Sequence, residues 1–260
     1  MIRDNVNEIC VSQRTFDWWF NRLGRITASD IGILFSEPRA KADKDKLTKT
    51  QQSYVITKAS ERVQLQELPQ MDLHKIYSSQ TNLADINSDV ARGVRLEREA
   101  MSRFRFSLSQ HFQTNAQSLD IDTCGLFINS AMPFFGASPD AIVYDTKTKE
   151  IESVVEIKCP RVTNHYELVS TREVKSAYYY QMLAQSFILG TNTCEFVSYC
   201  EEVPVDHQLI VLTHKFDNSE RELLIEKVDK FNTLIEVQKE IILTTDPKKR
   251  YFLKPKTRDA

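Results

Sequence analysis

Asp140, Glu156 and Lys158 are the residues of this chain whose types and spacing read most directly as chemistry. They fall in G-A-S-P-D-A-I-V-Y-D-T-K-T-K-E-I-E-S-V-V-E-I-K-C-P, residues 136–160. Ile157 separates Glu156 from Lys158, so in a strand these two side chains share a face. Val154, Val155, Ile157 and Cys159 place them in apolar surroundings, where an unpaired charge is costly. If T-K-T-K at 146–149 closes a hairpin, Asp140 arrives beside them from the neighbouring strand. Two carboxylates and one ammonium then meet at one end of a sheet. Mg²⁺ prefers oxygen ligands, and two such ions can stabilise both the attacking and the leaving oxygen in phosphodiester cleavage. The backbone carbonyl of Ile157 offers one more ligand. A lysine among carboxylates stays protonated, which favours orienting water or offsetting phosphate charge over acting as a free base. An E-x-K pair alone is usually an exposed ion pair; the flanking S-P-D and C-P sharpen this one.

Those residues need a scaffold, and the pattern supplies one. Thr15 can cap a short helix over 15–23, and T-A-S-D at 27–30 reads as a capping box with Asp in place of Glu. Residues 43–66 are polar and predict a surface helix, and 67–86 are ambiguous. From Ser88 to about His111, Val90, Val94, Met101, Phe104 and Leu108 form a helical stripe. Leu126–Ile128, Ala141–Tyr144 and Val154–Ile157 predict strands. Residues 174–189 return to helix, with Gly190 as the stop. Cys194–Tyr199 and Gln208–Leu212 predict two more strands. A long helix over 219–243 turns Leu223, Leu224, Val228, Phe231, Leu234, Ile235 and Ile242 inward. The order predicts one α/β domain over 1–260, with a mixed central β-sheet flanked by helices.

Composition narrows the class. The chain has 260 residues, 41% hydrophobic and 27% charged, enough for one sizeable core. No run of 18 apolar residues exists and the N-terminus lacks an apolar signal region, so the expectation is an intracellular protein, neither secreted nor membrane-spanning. Cys10, Cys124, Cys159, Cys194 and Cys200 are widely spaced and form no C-x-x-C, which argues for reduced thiols and against zinc or iron–sulfur sites. A net charge of −2 does not advertise nucleic acid, but two local stretches are basic. Residues 39–50 carry five basic side chains against Asp43 and Asp45. Residues 246–259 carry six against Asp246 and Asp259. Either a solvated face or a phosphate contact explains them.

S-P-D followed by E-I-K-C-P resembles the PD-(D/E)XK nuclease superfamily, and within it the phage lambda exonuclease-like, YqaJ-type viral recombinases. The resemblance spans roughly residues 18–190. It implies a restriction-endonuclease-like core. R-L-G-R-I-T-A-S-D at 22–30 resembles the family's 5′-phosphate motif, which implies that Arg22 and Ser29 bind a terminal phosphate; by itself Ser29 is a helix-start residue. Arg39 matches an arginine that the family places near the DNA end. G-V-R-L-E-R-E-A at 93–100 makes Glu97 the helical metal ligand, where the bare sequence offers a surface pair with Arg95 or Arg98. Glu99 falls on the surface. Ser138 is a further candidate phosphate contact. K-S-A-Y-Y-Y-Q at 175–181 makes Gln181 a residue beside the metals; Tyr178 reads as core or as a stacking surface. Glu97, Asp140, Glu156, Lys158 and Gln181 are thus the expected catalytic set, and Glu97, Asp140, Glu156 and Ile157 the expected metal ligands. Residues 40–88 are longer and more polar than the family pattern, a polar helical insertion, and the basic tail near 246–260 has no counterpart in it. G-L-F-I-N…P-F-F-G-A-S-P-D looks closer to alkaline-nuclease relatives.

The resemblance implies a 5′-to-3′ exonuclease that resects linear double-stranded DNA to 3′ tails, with two Mg²⁺ ions that Mn²⁺ can replace. A single-strand-annealing protein would take the tail, and the best-known member is a homotrimer. An endonuclease or a mixed-activity nuclease on the same core, or an inactive DNA-binding protein, are the alternatives.

Overall fold

The hairpin that brings Asp140 to Glu156 is closed by local side-chain chemistry. In a computed structural model, which describes residues 6–9, 11–38, 46–81, 89–115 and 118–245, strand β6 (Ala141–Asp145) runs antiparallel to β7 (Ile151–Lys158). Asp145 Oδ1 accepts from the backbone N–H groups of Lys147 and Thr148 at 2.7 and 2.8 Å, an Asx turn that reverses the chain. Lys149 completes the turn in the left-handed region at φ 60°.

The element order places this hairpin late in the chain. It begins with β1 (Val6–Ile9), α1 (Phe16–Arg22), β2 (Ile26–Thr27) and a 3₁₀ helix, Ala28–Ile33. Helices α2 (Lys49–Glu67), α3 (Gln70–Thr81) and α4 (Asp89–Asn115) follow. Then come β3 (Leu119–Asp122), β4 (Leu126–Asn129), β5 (Phe135–Ala137), β6 and β7. The chain closes with α5 (Val162–Thr171), α6 (Ser176–Leu189), β8 (Thr193–Tyr199), β9 (Leu209–Lys215) and α7 (Asn218–Thr244).

Five strands form a mixed sheet ordered β3-β6-β7-β8-β9, in which β7 and β8 are parallel and the other pairs antiparallel. The parallel pair is joined by α5 and α6, as parallel neighbours require. A second sheet, ordered β1-β4-β5-β2, was not expected. Its strands are two to four residues long, too short for alternation to register.

Two apolar layers sandwich the larger sheet. Leu96, Ala100 and Phe104 of α4 pack with Ala141, Val143, Val155, Ile157 and Val197. On the other face, Met182, Leu183 and Ile188 of α6 pack with Val154, Cys194, Phe196 and, from α7, Leu224, Val228 and Phe231. The central strand β7 therefore buries both faces, which is why the adjacent Val154 and Val155 are both apolar and do not alternate with polar residues. No helix of the described residues is long and apolar enough to cross a membrane.

Three sequence expectations need correction. The helix over 43–66 starts at Lys49 and is no surface helix: it packs against α7, and Gln51, Lys58, Ser60, Glu61 and Gln64 are buried along with Tyr54, Val55, Ala59 and Val63. Its polarity is internal wiring. Gln51 Nε2, for example, donates to the carbonyls of Ile33, Leu34 and Ser36 at and just past the end of the 3₁₀ helix. T-A-S-D forms no capping box; Thr27 makes no side-chain cap and instead donates its hydroxyl to Asp30 Oδ2 at 2.9 Å. Val94 and Leu223, assigned to inward stripes, are exposed. Thr15 does cap α1, and Gly190 does stop α6 at φ 73°. Cys124, Cys159, Cys194 and Cys200 are free thiols. Arg39 and residues 246–260 lie outside the described residues, as does Cys10.

Candidate active site

Alternation along β7 turns Val155 and Ile157 to the α4 layer and Val154 to the α6 layer, so Glu156 and Lys158 fall on the α6 side. Glu156 is only 2% exposed. A carboxylate that deep must be paired and hydrogen-bonded to stay charged. It accepts from Lys158 Nζ, from Gln181 Nε2 at 2.7 Å and from Gln185 Nε2 at 2.6 Å. The two glutamines stand one helical turn apart on α6, so both face the same strand. Sequence reasoning found Gln181 and missed Gln185, whose only signal is its i+4 position.

Asp140 stands just before β6. Its backbone N–H donates to Val155 O at 3.0 Å, and its Oδ2 accepts from the N–H of Ile157 at 2.6 Å. Burial drives its carboxyl well above the usual range, and the charges of Glu156 and Glu97 push the same way; the Ile157 N–H and Lys158 pull back. Burial draws the Lys158 ammonium down, yet Glu156 outweighs it with help from Asp140 and Tyr178, leaving a net rise. Lys158 is thus a fixed cation, with its Nζ 5.0 Å from the Tyr178 ring centroid. Burial pushes the neighbouring Cys159 thiol up to about 12, so it is no nucleophile at neutral pH.

Glu97 comes from α4, the opposite layer. It pairs with neither Arg95 nor Arg98. Arg95 binds Glu201 at 2.7 Å, and Glu97 accepts from Arg14 Nη2 at 2.7 Å. Glu99 lies on the surface beside Arg103. Among the described residues no three carboxylate, imidazole or thiol side chains already converge as a metal cage. The donor set nonetheless fits a hard divalent cation. Glu97, Asp140 and Glu156 raise one local negative potential, which adds to burial in making Asp140 resist ionising. A cation among these oxygens would relieve that repulsion.

A second cluster forms at the start of the chain. Arg22 Nη2 donates to Ser29 Oγ at 2.8 Å and Thr27 Oγ1 at 3.3 Å. The Arg22 guanidinium lies 4.3 Å over the Trp18 ring, and Trp18 Nε1 donates to Ser138 Oγ at 2.9 Å. Trp18 thereby ties Arg22 and Ser29 to Ser138, two residues before Asp140. The i,i+4 spacing of Trp18 and Arg22 was the available sign. Burial weighs against the Arg22 charge and leaves a net lowering that Asp30, Tyr54 and Glu61 only partly offset. Lys58 of α2 joins this network through Asp30 at 3.8 Å and Glu61 at 3.0 Å. Glu61 also accepts from the Gly24 N–H at 2.8 Å. Gly24 must be glycine: its φ is 71°, and a Cβ would meet Arg62 Cγ at 2.8 Å. Arg22, Ser29 and Ser138 are therefore brought together.

Comparison with known proteins bears on the fold and the family. The chain resembles the crystal structure of an alkaline exonuclease from Laribacter hongkongensis at 26% identity and a TM-score of 0.66, over 88% of this chain and 96% of that one. The same relative in complex with dAMP matches at 24% identity and a TM-score of 0.66, with the same 88% and 96% coverage. A phage related exonuclease from Haemophilus somnus 129PT matches at 14% identity and a TM-score of 0.53, over 85% and 95%, a likeness of fold alone. The shared architecture is the restriction-endonuclease-like fold. No curated protein sequence matches. The YqaJ-like viral recombinase domain matches residues 17–192, from α1 through α6, and this chain belongs to that family.

Proposed function

We propose that this protein is a Mg²⁺-dependent 5′-to-3′ exodeoxyribonuclease that resects linear duplex DNA and leaves 3′ single-stranded tails. The observation that carries the reading is the buried Glu156 carboxylate, gripped by Lys158, Gln181 and Gln185 beside an Asp140 that resists ionisation. Buried ion pairs are a poor source of stability, and carboxylates perturbed in this way cluster at functional sites. Family membership and the alkaline exonuclease likeness support the same conclusion.

Asp140, Glu156, Glu97 and the Ile157 carbonyl would hold two Mg²⁺ ions, with Mn²⁺ a workable substitute. Bound there, the metal would activate water and stabilise the leaving oxygen. Lys158 keeps its proton and faces the phosphate as a fixed positive charge. Gln181 and Gln185 hold Glu156 in one orientation, so it need not reorganise during reaction. Arg22 and Ser29 offer a preformed fork of donors for a terminal 5′ phosphate, with Ser138 linked to them through Trp18. The 3′ tail is a substrate for a single-strand-annealing protein.

The deciding experiment digests end-labelled linear duplex, with and without a 5′ phosphate, beside closed circular DNA. Phosphorylated linear DNA should shorten from its 5′ end while circles persist. Arg22→Ala should cut the preference for phosphorylated ends about tenfold, the scale of a lost charged hydrogen bond. Circles consumed as fast as linear DNA would overturn the exonuclease reading.

A further inference from the structure

The segment between β1 and α1 crosses the active site and is pinned from three sides. Gln13 Nε2 donates to the carbonyl of Pro139, one residue from Asp140, at 3.0 Å. The Tyr77 hydroxyl of α3 donates to the Arg14 carbonyl at 2.5 Å. Thr15 caps α1. Between these anchors Arg14 takes φ 67°, a left-handed conformation that a residue with a Cβ rarely adopts. The outcome of that twist is specific: the guanidinium reaches Glu97 across 83 residues of sequence.

Glu97 is the acid assigned above to the metal, so Arg14 sits on an oxygen that the metal would need. The pair is easily exchanged. The Arg14 side chain is 51% exposed and that of Glu97 30%, and exposed ion pairs are weak. A guanidinium displaced from a carboxylate keeps its charge and its planar fork, which match a phosphate as well as a carboxylate. The anchors at Gln13 and Tyr77 keep it at the site while its head group moves.

We propose that Arg14 trades Glu97 for the scissile phosphate: it competes with the metal for Glu97 before DNA arrives and clamps the phosphate once metal is bound. This rests on the reading of Glu97 as a metal ligand. Arg14 is then a phosphate-binding residue outside the set expected from the family resemblance.

The test measures Mn²⁺ binding by electron paramagnetic resonance without DNA, and binding of a 5′-phosphorylated duplex by anisotropy with Ca²⁺ in place of Mg²⁺. Arg14→Gln should bind Mn²⁺ about threefold tighter, the scale of one exposed ion pair. Its plot of log affinity against log salt should be shallower by about 0.9, one phosphate contact. Arg14→Gly suits the left-handed backbone and should behave alike, which separates loss of the guanidinium from a folding defect. Arg14→Lys keeps the charge and should retain the wild-type salt slope. An unchanged Mn²⁺ affinity or an unchanged salt slope in both Arg14→Gln and Arg14→Gly overturns the exchange. If wild type itself binds no Mn²⁺, the metal role of Glu97 falls too; if wild type binds it and the variants match, only the role of Arg14 falls.

Discussion

Glu156 and Glu97 are two carboxylates of one candidate site held in opposite ways. Glu156 is sealed in the sheet with three side-chain donors. Glu97 stands on a helix of the opposite layer, partly open to solvent, with a loop arginine as its partner. The difference separates two tasks. A strand position with fixed donors keeps a charge in one orientation and cannot adapt. In the exchange proposed for Arg14, a helical carboxylate held by one partly exposed cation would change partners as ligands come and go. On that reading the strand half is rigid and the helix half adjustable.

The sharpest way to break that contrast is to neutralise each acid. Glu156→Gln should lower the cleavage rate by about a thousandfold, the upper scale for a lost transition-state contact, and extra Mg²⁺ should not restore it. Glu97→Gln should weaken metal affinity by at least about 10–100-fold, the cost of losing even a supporting partner of a metal ligand, and be largely rescued by raised Mg²⁺. Rate measurements over a Mg²⁺ series check both, and rescue of Glu156→Gln would erase the distinction. A smaller effect tests the donors. Gln185→Leu leaves Glu156 with one hydrogen bond fewer, and a lost bond to a buried charge costs about 1.5–3 kcal/mol. The expected outcome is a lower melting temperature with duplex affinity retained, read by calorimetry and anisotropy.

The smallest effect concerns pH. In the folded protein the Asp140 carboxyl titrates above its unfolded value, with burial as the main cause. The folded state therefore binds more protons than the unfolded one across that interval. This contribution to stability is fully present below the unfolded value and is lost as pH rises through the folded one. In chelator, the wild-type melting temperature should carry a downward pH component that Asp140→Asn removes. The variant should also melt higher at neutral pH, by about 2–4 °C for each kcal/mol of relieved repulsion. A wild type and variant with identical pH profiles would show that Asp140 is not strained.

The strand half of the site was legible because its signals are local. Period 2 put Glu156 and Lys158 on one face, and the T-K-T-K turn delivered Asp140; the helix over 174–189 was legible too, but only the family resemblance singled out Gln181 on it. The rest depends on contacts that no window of sequence contains. Arg14 meets Glu97 from the far end of the chain, and nothing around either residue marks the pair. Helix α2 misled for a physical reason: polar side chains imply solvent unless a partner is known, and the partners of Gln51 and Lys58 lie in other segments or on the helix itself. T-A-S-D misled because Thr27 hydrogen-bonds a side chain where a cap would use the backbone.

Gly32 carries one more consequence. A Cβ there would stand 3.1 Å from the Cα of Ala177, so the 3₁₀ helix that bears Ser29 lies nearly backbone to backbone on α6, which bears Gln181. The two segments are thus held at a set spacing. Under the roles proposed for Ser29 and Gln181, a methyl group at position 32 would press the phosphate-gripping segment away from the helix beside the metals.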